Sequence, residues 1–491
     1  MNSPIDTRVQ FDTSFVLNSL RIPPTPANSH SFTFSEICTD SRQITPDSLF
    51  VALKGERVDA HDFIPAVIQA GARGVVCKKG TADRFKDLDP VVHLFEVNDP
   101  LLAFRDLAQK WREKFKIPVI VVAGSAGKTT TKELLACILQ GKWHSVLKTQ
   151  ASQNGFIGIP MTLLGLRPHH EGAVIEVGID EVGAMIQHMQ LVQPTASLLT
   201  AIGPEHLEKL IDLRTVAHEE SIALTEVASR GEFIAVNLDD PWIAPLAALK
   251  TKKKLGFSLT LHDHQDLEVL SGELSPDHST LTLTTPGKTT LEISLPLPGR
   301  HNVMNLLGAI SIALGLGLSL EEIQQGLQTF QGAQGRSEVR VLPGDTTVIC
   351  DYYNAQPASM RAGLQMLCDF HRKSNSSKSR WACLGDMLEL GPSEESFHRD
   401  LATQIIEEGI ENVLLFGPRM FFLSDELKSR GFRGYHAHFK THAELSRELA
   451  SRIQPGDTLL IKGSRGMKME DIWRPFQEFA ASNWGPLQVE K

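Results

Sequence analysis

Residues 118–140, PVIVVAGSAGKTTTKELLACILQ, decide the fold of the surrounding chain. The run PVIVVAG is apolar and rich in β-branched residues, which predicts a strand buried on both faces of a parallel sheet. A glycine-containing turn leads from this strand directly into a helical pattern, TTKELLACILQ. In this order of strand, turn and helix, backbone N–H groups can turn around phosphate oxygens at the positive end of the helix.

The turn predicts a nucleotide-binding loop. Lys128 can reach the β- and γ-phosphates of a nucleotide, and the Thr129 hydroxyl can bind Mg²⁺. The other residues that would surround the phosphates are Gly124, Ser125, Ala126, Gly127 and Thr130. The usual eight-residue pattern would have its first glycine at Val122, so this loop is a shortened form. The alternative interpretation is a Gly-Lys-Thr turn that only caps a helix.

Two residues that follow predicted strands are candidate metal ligands. Glu176 ends the run AVIE in the apolar segment 173–179, where burial of a carboxylate is costly without a cation. His206 comes shortly after the apolar segment 196–202. In a doubly wound sheet both positions fall at the carboxyl edge of the strands, beside the phosphate loop. Alternatively, Glu176 caps a neighbouring helix and His206 is an ordinary surface histidine.

The length of 491 residues suggests about three domains at roughly 150 residues each. We expect an N-terminal domain over 1–115, a central domain over 116–334 and a C-terminal domain over 335–491. Between 252 and 298, alternating residues predict an antiparallel annex to the central sheet. In the last domain four apolar segments alternate with helical ones and predict a doubly wound sheet. These segments are TVICDYY, WACLGDM, NVLLFG and TLLIKG.

Composition argues against several functional classes. The net charge of −9 disfavours a dedicated binder of nucleic acid or of anionic membranes. The start, MNSPIDTRVQFD, has no apolar core behind it and does not resemble a secretory signal, and no apolar run reaches the ~20 residues of a membrane span. Six scattered cysteines without a CxxC pair argue against a disulfide framework or a zinc ribbon. We expect a cytoplasmic monomer that uses neither nucleic acid nor membrane insertion.

Longer motifs extend the pattern along the chain. TDSRQITPDSLFVALKGERVDAHDF precedes the loop, SQNGFIGIPMTLL, EVGID and GPEHLE follow it, and LPGRHNVMNLLGA ends the central part. QGRSE, DYYNAQPASM, LGDMLELG and KGSRGMKME lie in the last third. Together, over about 34–469, these motifs resemble the ATP-dependent Mur ligases of peptidoglycan synthesis. The phosphate loop and the His-Asn motif are shared more widely, including with the folylpolyglutamate synthetases.

The resemblance implies an α/β fold class with three domains. They would be a small mixed α/β UDP-binding domain, a central P-loop-type parallel-sheet ATPase domain with an antiparallel annex, and a Rossmann-like C-terminal domain. The implied cofactors are ATP and Mg²⁺. The motifs of the last third are most similar to the branch that adds D-alanyl-D-alanine to UDP-N-acetylmuramoyl-tripeptide (UDP-MurNAc-tripeptide) through an acyl phosphate. The Tyr-Ala-His and Asp-Asn-Pro-Arg motifs of the branch that adds the third residue are absent from the sequence.

The resemblance also implies roles for individual residues. Those implied to be catalytic are Lys128, Glu176, His206 and Lys462. Besides the phosphate loop, ATP would contact Asn302, Asn305, Arg336 and Asp351. The other substrates would contact Ser41, Arg42, Asn154, Tyr353, Asn354, Pro357, Ser464 and Arg465. Mg²⁺ would be held by Thr129, Glu176, His206 and Glu220. Taken singly, several of these motifs are only a helix cap, a turn or a polar strand end; their joint order favours the ligase.

Three positions depart from the family pattern. Most relatives have a CO₂-carbamylated lysine twelve residues after the glutamate of the His-Leu-Glu motif, and here that position is Glu220. We hypothesise that Glu220, or Glu219, supplies a permanent carboxylate and makes the enzyme independent of CO₂. The usual paired asparagines are Asn154-Gly155, and EVGID lacks the Asn-His that commonly follows its glycine. The first acid of the usual Asp-Asp pair is Cys350.

Two other functions remain open at this point. One is another amide ligase of the same superfamily, such as a folate glutamylase, which LGDMLELG and the UDP-type first domain disfavour. The other is a nucleotide-driven switch or motor ATPase that makes no new bond. The sequence shows neither the basic patch nor the partner-binding tail that such a protein would need.

Overall fold

A computed structural model describes residues 11–24, 31–55, 58–85, 91–260, 267–275, 279–374 and 378–485. Most of the N-terminal segment used for the prediction about secretory signals lies outside these residues. Within the described ranges no helix is long and apolar enough to span a bilayer. The chain divides into two compact units, one formed by residues up to 119 with 144–175 and 187–193, and the other by the rest.

The first part of the chain is built from short elements. They are β1 (Phe11–Asp12), α1 (Thr13–Leu20), β2 (Thr33–Phe34), β3 (Ile37–Cys38), β4 (Leu49–Val51), α2 (Ile64–Gln69), β5 (Gly74–Lys78), β6 (His93–Val97) and α3 (Pro100–Arg112). Strands β3, β4, β5 and β6 form a parallel sheet in that order, and β1 pairs antiparallel with β2. Phe50, Ile64 and Val75 are buried together in its core, because the strands and α2 turn their apolar side chains to the same layer.

The middle of the chain contains nine of the 21 strands in the described residues. Its elements are β7 (Val119–Ala123), α4 (Lys128–Leu139), β8 (Val146–Lys148), α5 (Gly158–Leu164), β9 (Gly172–Glu176), α6 (Ala184–Val192), β10 (Ala196–Leu199), α7 (Leu207–Leu210), α8 (Leu213–Ser229), β11 (Phe233–Asn237), β12 (Lys254–Ser258), β13 (Val269–Leu274), β14 (Thr280–Thr284), β15 (Thr290–Ser294), α9 (Arg300–Gly315) and α10 (Leu320–Leu327). Strand β10 pairs in parallel with β7 on one side and β11 on the other, and β8 pairs in parallel with β9. All five residues of β7 are buried, which confirms the predicted strand.

The predicted antiparallel annex is only partly correct. Strands β12 and β13 continue the sheet in parallel beyond β11, and only β14 and β15 are antiparallel. The alternation of residues between 252 and 298 predicted strands, but it carries no information about their direction, which depends on the connections between them. The annex is therefore an extension of the main sheet.

The last part of the chain is a doubly wound sheet, as predicted. Its elements are β16 (Glu338–Leu342), β17 (Thr346–Asp351), α11 (Pro357–Ser374), β18 (Arg380–Gly385), α12 (Glu394–Glu407), β19 (Asn412–Phe416), α13 (Met420–Ser429), β20 (Tyr435–Phe439), α14 (His442–Arg452), β21 (Thr458–Lys462) and α15 (Glu470–Asn483). The strand order is β16-β17-β21-β18-β19-β20, and the pairing is parallel except between β16 and β17. Separate apolar clusters cover its two faces. The four predicted strands are confirmed as β17, β18, β19 and β21, and the sheet also has two edge strands, β16 and β20, which the sequence pattern did not predict.

Candidate active site

The phosphate loop is a tight turn between β7 and α4 in which two glycines are required. Gly124 and Gly127 have φ of +116° and +87°, in the left-handed region. A Cβ at Gly127 would lie 2.3 Å from Oδ1 of Asn305, and one at Gly124 would lie 2.5 Å from Oγ1 of Thr200. The N–H of Ser125 donates to the carbonyl of Ala201 at 2.7 Å, which fixes the loop to the end of β10. The predicted loop is therefore present, between a buried strand and a helix N-terminus.

Lys128 lies among carboxylates at this loop. Its Nζ donates to the carbonyl oxygen of Gly124 and lies 3.4 Å from Oε2 of Glu205. Burial alone would lower the pKa of Lys128, but the negative charges of Glu205, Glu220 and Glu176 outweigh it and raise the pKa above its usual value. Lys128 therefore stays cationic, as binding of phosphates requires.

Glu220 reaches the same loop from α8. Its Oε2 accepts a hydrogen bond from the N–H of Gly124 at 2.8 Å, and the side chain is fully buried. Burial, together with the nearby carboxylate of Glu205, raises the pKa of Glu220 to about 8. Two buried carboxyl groups beside one lysine are a place where an additional cation would be favourable. Glu219 is also buried, but Glu220 is the one that contacts the loop.

A candidate magnesium site lies at the start of α4. Oγ1 of Thr129 donates to Oε1 of Glu176 at 3.1 Å, and Nη2 of Arg336 donates to Oγ1 of Thr129 at 3.0 Å. Hydroxyl and carboxylate oxygens are ligands that Mg²⁺ accepts, usually together with phosphate oxygens and water. Among the described residues no group of three or more His, Cys, Asp or Glu side chains could hold a metal ion. The donor pair fits Mg²⁺ that is bound together with a nucleotide.

His206 meets a different partner. Its Nδ1 lies 2.6 Å from Oε2 of Glu389, in the LGDMLELG motif, and the N–H of Leu207 donates to the carbonyl of Glu389 at 3.1 Å. Both His206 and Glu389 have positive φ, at +46° and +63°. Such backbone conformations are uncommon outside glycine and cluster at functional sites. The structure therefore joins the GPEHLE and LGDMLELG motifs through this pair.

A cavity of about 320 Å³ opens beside the phosphate loop. Five predicted nucleotide-binding or catalytic residues line it together with Ser125, Ala126, Gly127 and Thr130 of the loop: Asn302, Asn305, Arg336, Asp351 and Lys462. Nδ2 of Asn305 donates to Oδ1 of Asn302 at 3.3 Å, so Asn302 of the His-Asn motif and Asn305 form one polar edge. The structure thus gathers, around one space, residues that are up to 337 positions apart (462 − 125).

Asp351 and Lys462 form a buried ion pair on neighbouring strands. Nζ of Lys462 donates to Oδ2 of Asp351 at 2.6 Å and to the carbonyl of Asn354 at 3.1 Å. The N–H of Ser337 donates to Oδ1 of Asp351 at 3.0 Å. Burial would raise the pKa of Asp351, but the charge of Lys462 and its hydrogen bond outweigh this and lower the pKa below its usual value. Asp351 is therefore an anion held in one orientation.

The remaining C-terminal candidates lie in the DYYNAQP and KGSRG motifs. The guanidinium of Arg336 lies 4.2 Å from the ring centroid of Tyr353, and that of Arg465 lies 5.5 Å from it. Oγ of Ser464 donates to the carbonyl of Ala355 at 3.0 Å, which links the KGSRG and DYYNAQP motifs. Asn354 and Pro357 lie in the second of these motifs, and Pro357 begins α11.

Three of the predicted substrate-contact residues, Ser41, Arg42 and Asn154, lie in the first compact unit. Ser41 begins a short 3₁₀ helix that Asp40 caps. The Arg42 side chain is 85% exposed, with Nε and Nη2 at 2.9 Å and 2.6 Å from the Asp40 carboxylate. The hydrogen bonds from Arg42 lower the pKa of Asp40 to about 2. Asn154 is partly buried in the segment before α5. Arg42 is therefore a charged group held ready at the surface.

Comparison with known proteins decides the family. Family models match three successive stretches: "Mur ligase family, catalytic domain" over 33–109, "Mur ligase middle domain" over 122–313, and "Mur ligase, glutamate ligase domain" over 335–465. The chain is 32% identical over 446 residues to the UDP-N-acetylmuramoyl-tripeptide–D-alanyl-D-alanine ligase of Escherichia coli (strain K12), covering 91% of this chain and 94% of that protein. The chain belongs to the Mur ligase family.

Further relatives agree with this assignment. This ligase is 30% identical over 437 residues to the Bacillus subtilis (strain 168) protein of the same name, covering 89% of this chain and 92% of that protein. Crystal structure I of MurF from Acinetobacter baumannii matches it with a TM-score of 0.81 at 29% identity, over 96% of this chain and 100% of that one. The MurF ligase from Thermotoga maritima in complex with ADP shares the fold, with a TM-score of 0.77 at 22% identity, over 91% and 98% of the two chains. The predicted three-domain α/β fold and ATP-dependent amide-forming activity are confirmed.

Three residues of this site were missed in the sequence. Glu205 directly precedes His206 in GPEHLE, and its acidic character was the available signal. Glu389 lies in LGDMLELG, a motif whose acidic residues have no role predicted from the sequence. Lys132 lies in the helical pattern after the loop, where a lysine is typical of a solvated face, yet its side chain is buried. Each acquires its role from a partner far away in sequence.

Proposed function

We propose that this ligase adds D-alanyl-D-alanine to UDP-MurNAc-tripeptide and releases UDP-MurNAc-pentapeptide, ADP and phosphate. The observation that carries the proposal is the shared cavity, because it places the phosphate loop beside Asp351 and Lys462 of the C-terminal sheet. The names of the relatives with about 30% identity over nine-tenths of the chain supply the substrates.

The chemistry needs two steps. A carboxylate is a poor electrophile, so an oxygen of the tripeptide's terminal carboxylate first takes the γ-phosphoryl group of ATP, and ADP leaves. The amine of the dipeptide then attacks the carbonyl carbon of the acyl phosphate. The tetrahedral intermediate collapses to the amide, phosphate departs, and the amine loses a proton. Phosphoryl transfer depends mainly on positioning and charge neutralisation, which suits a site that is rich in fixed cations.

The nucleotide would lie along the cavity. The loop from Gly124 to Thr130 would hold the phosphates, with Lys128 across the β- and γ-phosphates and Arg336 at the γ-phosphate. Asn302 and Asn305 would face the adenine. Asp351, an anion fixed by Lys462, would accept hydrogen bonds from the ribose hydroxyls. The contact of Arg336 with Thr129 supports a position for this arginine close to the transferred group.

Magnesium, when bound, would neutralise the phosphate oxygens as the γ-phosphoryl group moves. Thr129 and Glu176 would hold one ion. His206 and Glu220 would serve a second. Because the pKa of Glu220 is raised to about 8, the bound cation would favour its ionised form, and that carboxylate would take the place of the modified lysine. The buried carboxyl group of Glu220, in contact with the phosphate loop, supports this substitution.

The other substrates would lie on the remaining motifs. Ser41 and Arg42 would face the uridine diphosphate, because a held, exposed guanidinium suits a diphosphate. Asn154 would line the peptide channel. The incoming dipeptide and the acyl phosphate would contact Lys462 and the following side chains: Tyr353, Asn354, Pro357, Ser464 and Arg465.

We also propose domain boundaries at 1–115, 116–334 and 335–491, which the three family matches accommodate. The enzyme would act as a monomer in the cytoplasm, a compartment that suits six cysteines that form no disulfide among the described residues.

Phosphate release by purified protein tests the proposed function. We expect release with ATP and Mg²⁺ only when UDP-MurNAc-tripeptide and D-alanyl-D-alanine are both present, and mass spectrometry should detect the pentapeptide. Release that needs a folate and glutamate would favour a folate glutamylase instead. Release that is stimulated by a protein or nucleic acid, with no new amide, would favour an ATPase switch.

A further inference from the structure

Lys132 is a fully buried lysine next to the candidate magnesium site. Its Nζ lies 3.0 Å from Oε1 of Glu133 and 3.5 Å from Oε2 of Glu176, whose side chain is 1% exposed. Lys132 is one helical turn after Lys128, at which α4 begins. Helical side chains lean toward the N-terminus of their helix, so the Lys132 amine lies near the start of α4, where the phosphate loop ends.

The two oxygens of Glu176 have different partners. Oε1 receives the hydrogen bond from Thr129, and Oε2 faces the Lys132 amine. The hydrogen bond at Oε1 and the ion pair at Oε2, which lies 3.5 Å from the amine, together limit rotation of the carboxylate. Because buried charges are costly unless they are paired, a lysine at this position also offsets the negative charge of Glu176.

We propose that Lys132 is a positioning residue for Glu176. It holds Oε2, so that Oε1 stays beside the Thr129 hydroxyl in the orientation needed for a shared ion. It also supplies a fixed positive charge at Glu176 after the metal and nucleotide have left between turnovers. The inference rests on the proposed function only in taking Glu176 as a magnesium ligand.

Glu133 is the obvious competitor for this role. Its carboxylate is closer to the amine, so Lys132 could serve only to pair with Glu133 and stabilise α4. The two interpretations differ in what Mg²⁺ does. If Lys132 compensates Glu176, a divalent ion should take over part of that task when the lysine is removed; if it serves Glu133, the ion should make no difference.

Thermal unfolding separates the two. The variants are Lys132→Met, Glu133→Gln and, as a matched control for loss of a lysine from an ion pair, Lys142→Met, whose side chain is 37% exposed beside Glu322. Each is melted with ADP alone and with ADP plus Mg²⁺. We expect a lower Tm for Lys132→Met with ADP alone, and a larger rise on adding Mg²⁺ than in the wild type. Glu133→Gln and Lys142→Met should show the wild-type rise.

A double variant provides a test without any metal. Lys132→Met/Glu176→Gln removes both charges, so its Tm should exceed that of Lys132→Met alone. In steady-state kinetics, Lys132→Met should lose activity by about 10-fold to 100-fold, as is usual when a partner of a metal ligand is removed, while Glu133→Gln keeps its kcat.

The outcomes that overturn the inference are distinct from failure of the proposed function. An equal Mg²⁺-dependent rise in wild type and Lys132→Met, or a Glu133→Gln variant that reproduces Lys132→Met, would assign Lys132 to helix stability. A double variant no more stable than Lys132→Met would do the same. If Mg²⁺ did not raise the Tm of the ADP-bound wild type at all, Glu176 would lose its role as a ligand, and the inference would fail with it. None of these melting results depends on which acceptor the enzyme uses, so phosphate release with both substrates tests the proposed function separately.

Discussion

Replacement of Lys462 by methionine should destabilise the C-terminal sheet strongly. The lysine side chain is 1% exposed and its Nζ lies 2.6 Å from Oδ2 of Asp351. At that distance, with an effective dielectric constant of about 20, the two charges attract by roughly 6 kcal/mol, much of which offsets their desolvation. Because the variant leaves Asp351 buried without its cation, we expect a loss of about 3–5 kcal/mol in the free energy of unfolding.

The pH dependence of this loss has a definite sign. The pKa of Asp351 is lowered in the folded state, so its contribution to stability is present above the unfolded pKa and is lost as pH falls through the folded pKa. In Lys462→Met, burial would instead favour the protonated form of Asp351. The cost of burying an unpaired charge therefore disappears at low pH, where Asp351 is neutral. The stability difference between wild type and variant should therefore be largest near pH 8 and narrow below about pH 4.

Urea denaturation at several pH values measures both effects. Tryptophan fluorescence is a suitable probe, because Trp381 and Trp473 are buried in the core of this sheet. Lys253→Met, which removes an exposed partner of Glu232, is the control and should change stability by less than about 1 kcal/mol. The double variant Lys462→Met/Asp351→Asn should recover part of the loss. The reasoning is refuted if Lys462→Met is as stable as the control, or if the double variant is no more stable than the single one.

Three further outcomes follow from the site. Glu220→Gln should lower kcat about tenfold or more, because an amide has no anionic oxygen, and added bicarbonate should leave wild-type phosphate release unchanged. Full activity of the variant would contradict the hypothesis that Glu220 takes the place of the modified lysine. Arg42→Ala should raise KM for the UDP-linked substrate about tenfold with kcat unchanged in steady-state assays, and an unchanged KM would remove Arg42 from that site. Glu389→Gln should unfold within about 1 kcal/mol of wild type, since the pair with His206 is partly exposed, yet lower kcat; equal kcat would make the pair incidental.

Strands buried on both faces could be predicted from the sequence, and edge strands could not. β7 is a continuous apolar run, and β10 and β11 are apolar except for Ser197 and Asn237, because both faces of these strands are covered. β20, YHAHF, is partly exposed at every position and has hydrogen-bonded neighbours on one side only. β16 likewise mixes charged and apolar residues at the opposite edge. Such segments lack a regular pattern of apolar residues, because an edge strand is partly exposed to water.

The residues of the candidate site likewise fall into those that could be predicted from the sequence and those that could not. The phosphate loop could be predicted because its function resides in a local conformation, with glycines at fixed positions before a helix. Lys132, Glu205 and Glu389 could not, because nothing within a few residues of each specifies its partner. Lys132 in particular depends on the end of β9 lying against the first turn of α4. Only the folded chain shows that this lysine is buried.

Cys350 replaces an acid of the family pattern, but its position on β17 limits the effect of this replacement on the site. Successive side chains of a strand point to opposite faces. Val348 and Cys350 of β17 belong to one apolar cluster, while Ile349 belongs to the cluster on the other face. Asp351 therefore points away from the Cys350 face, toward Lys462 on the neighbouring strand. Burial raises the pKa of the Cys350 thiol, so the residue is a neutral part of the core. The replacement therefore changes the packing of one sheet face and leaves the Asp351–Lys462 pair in place.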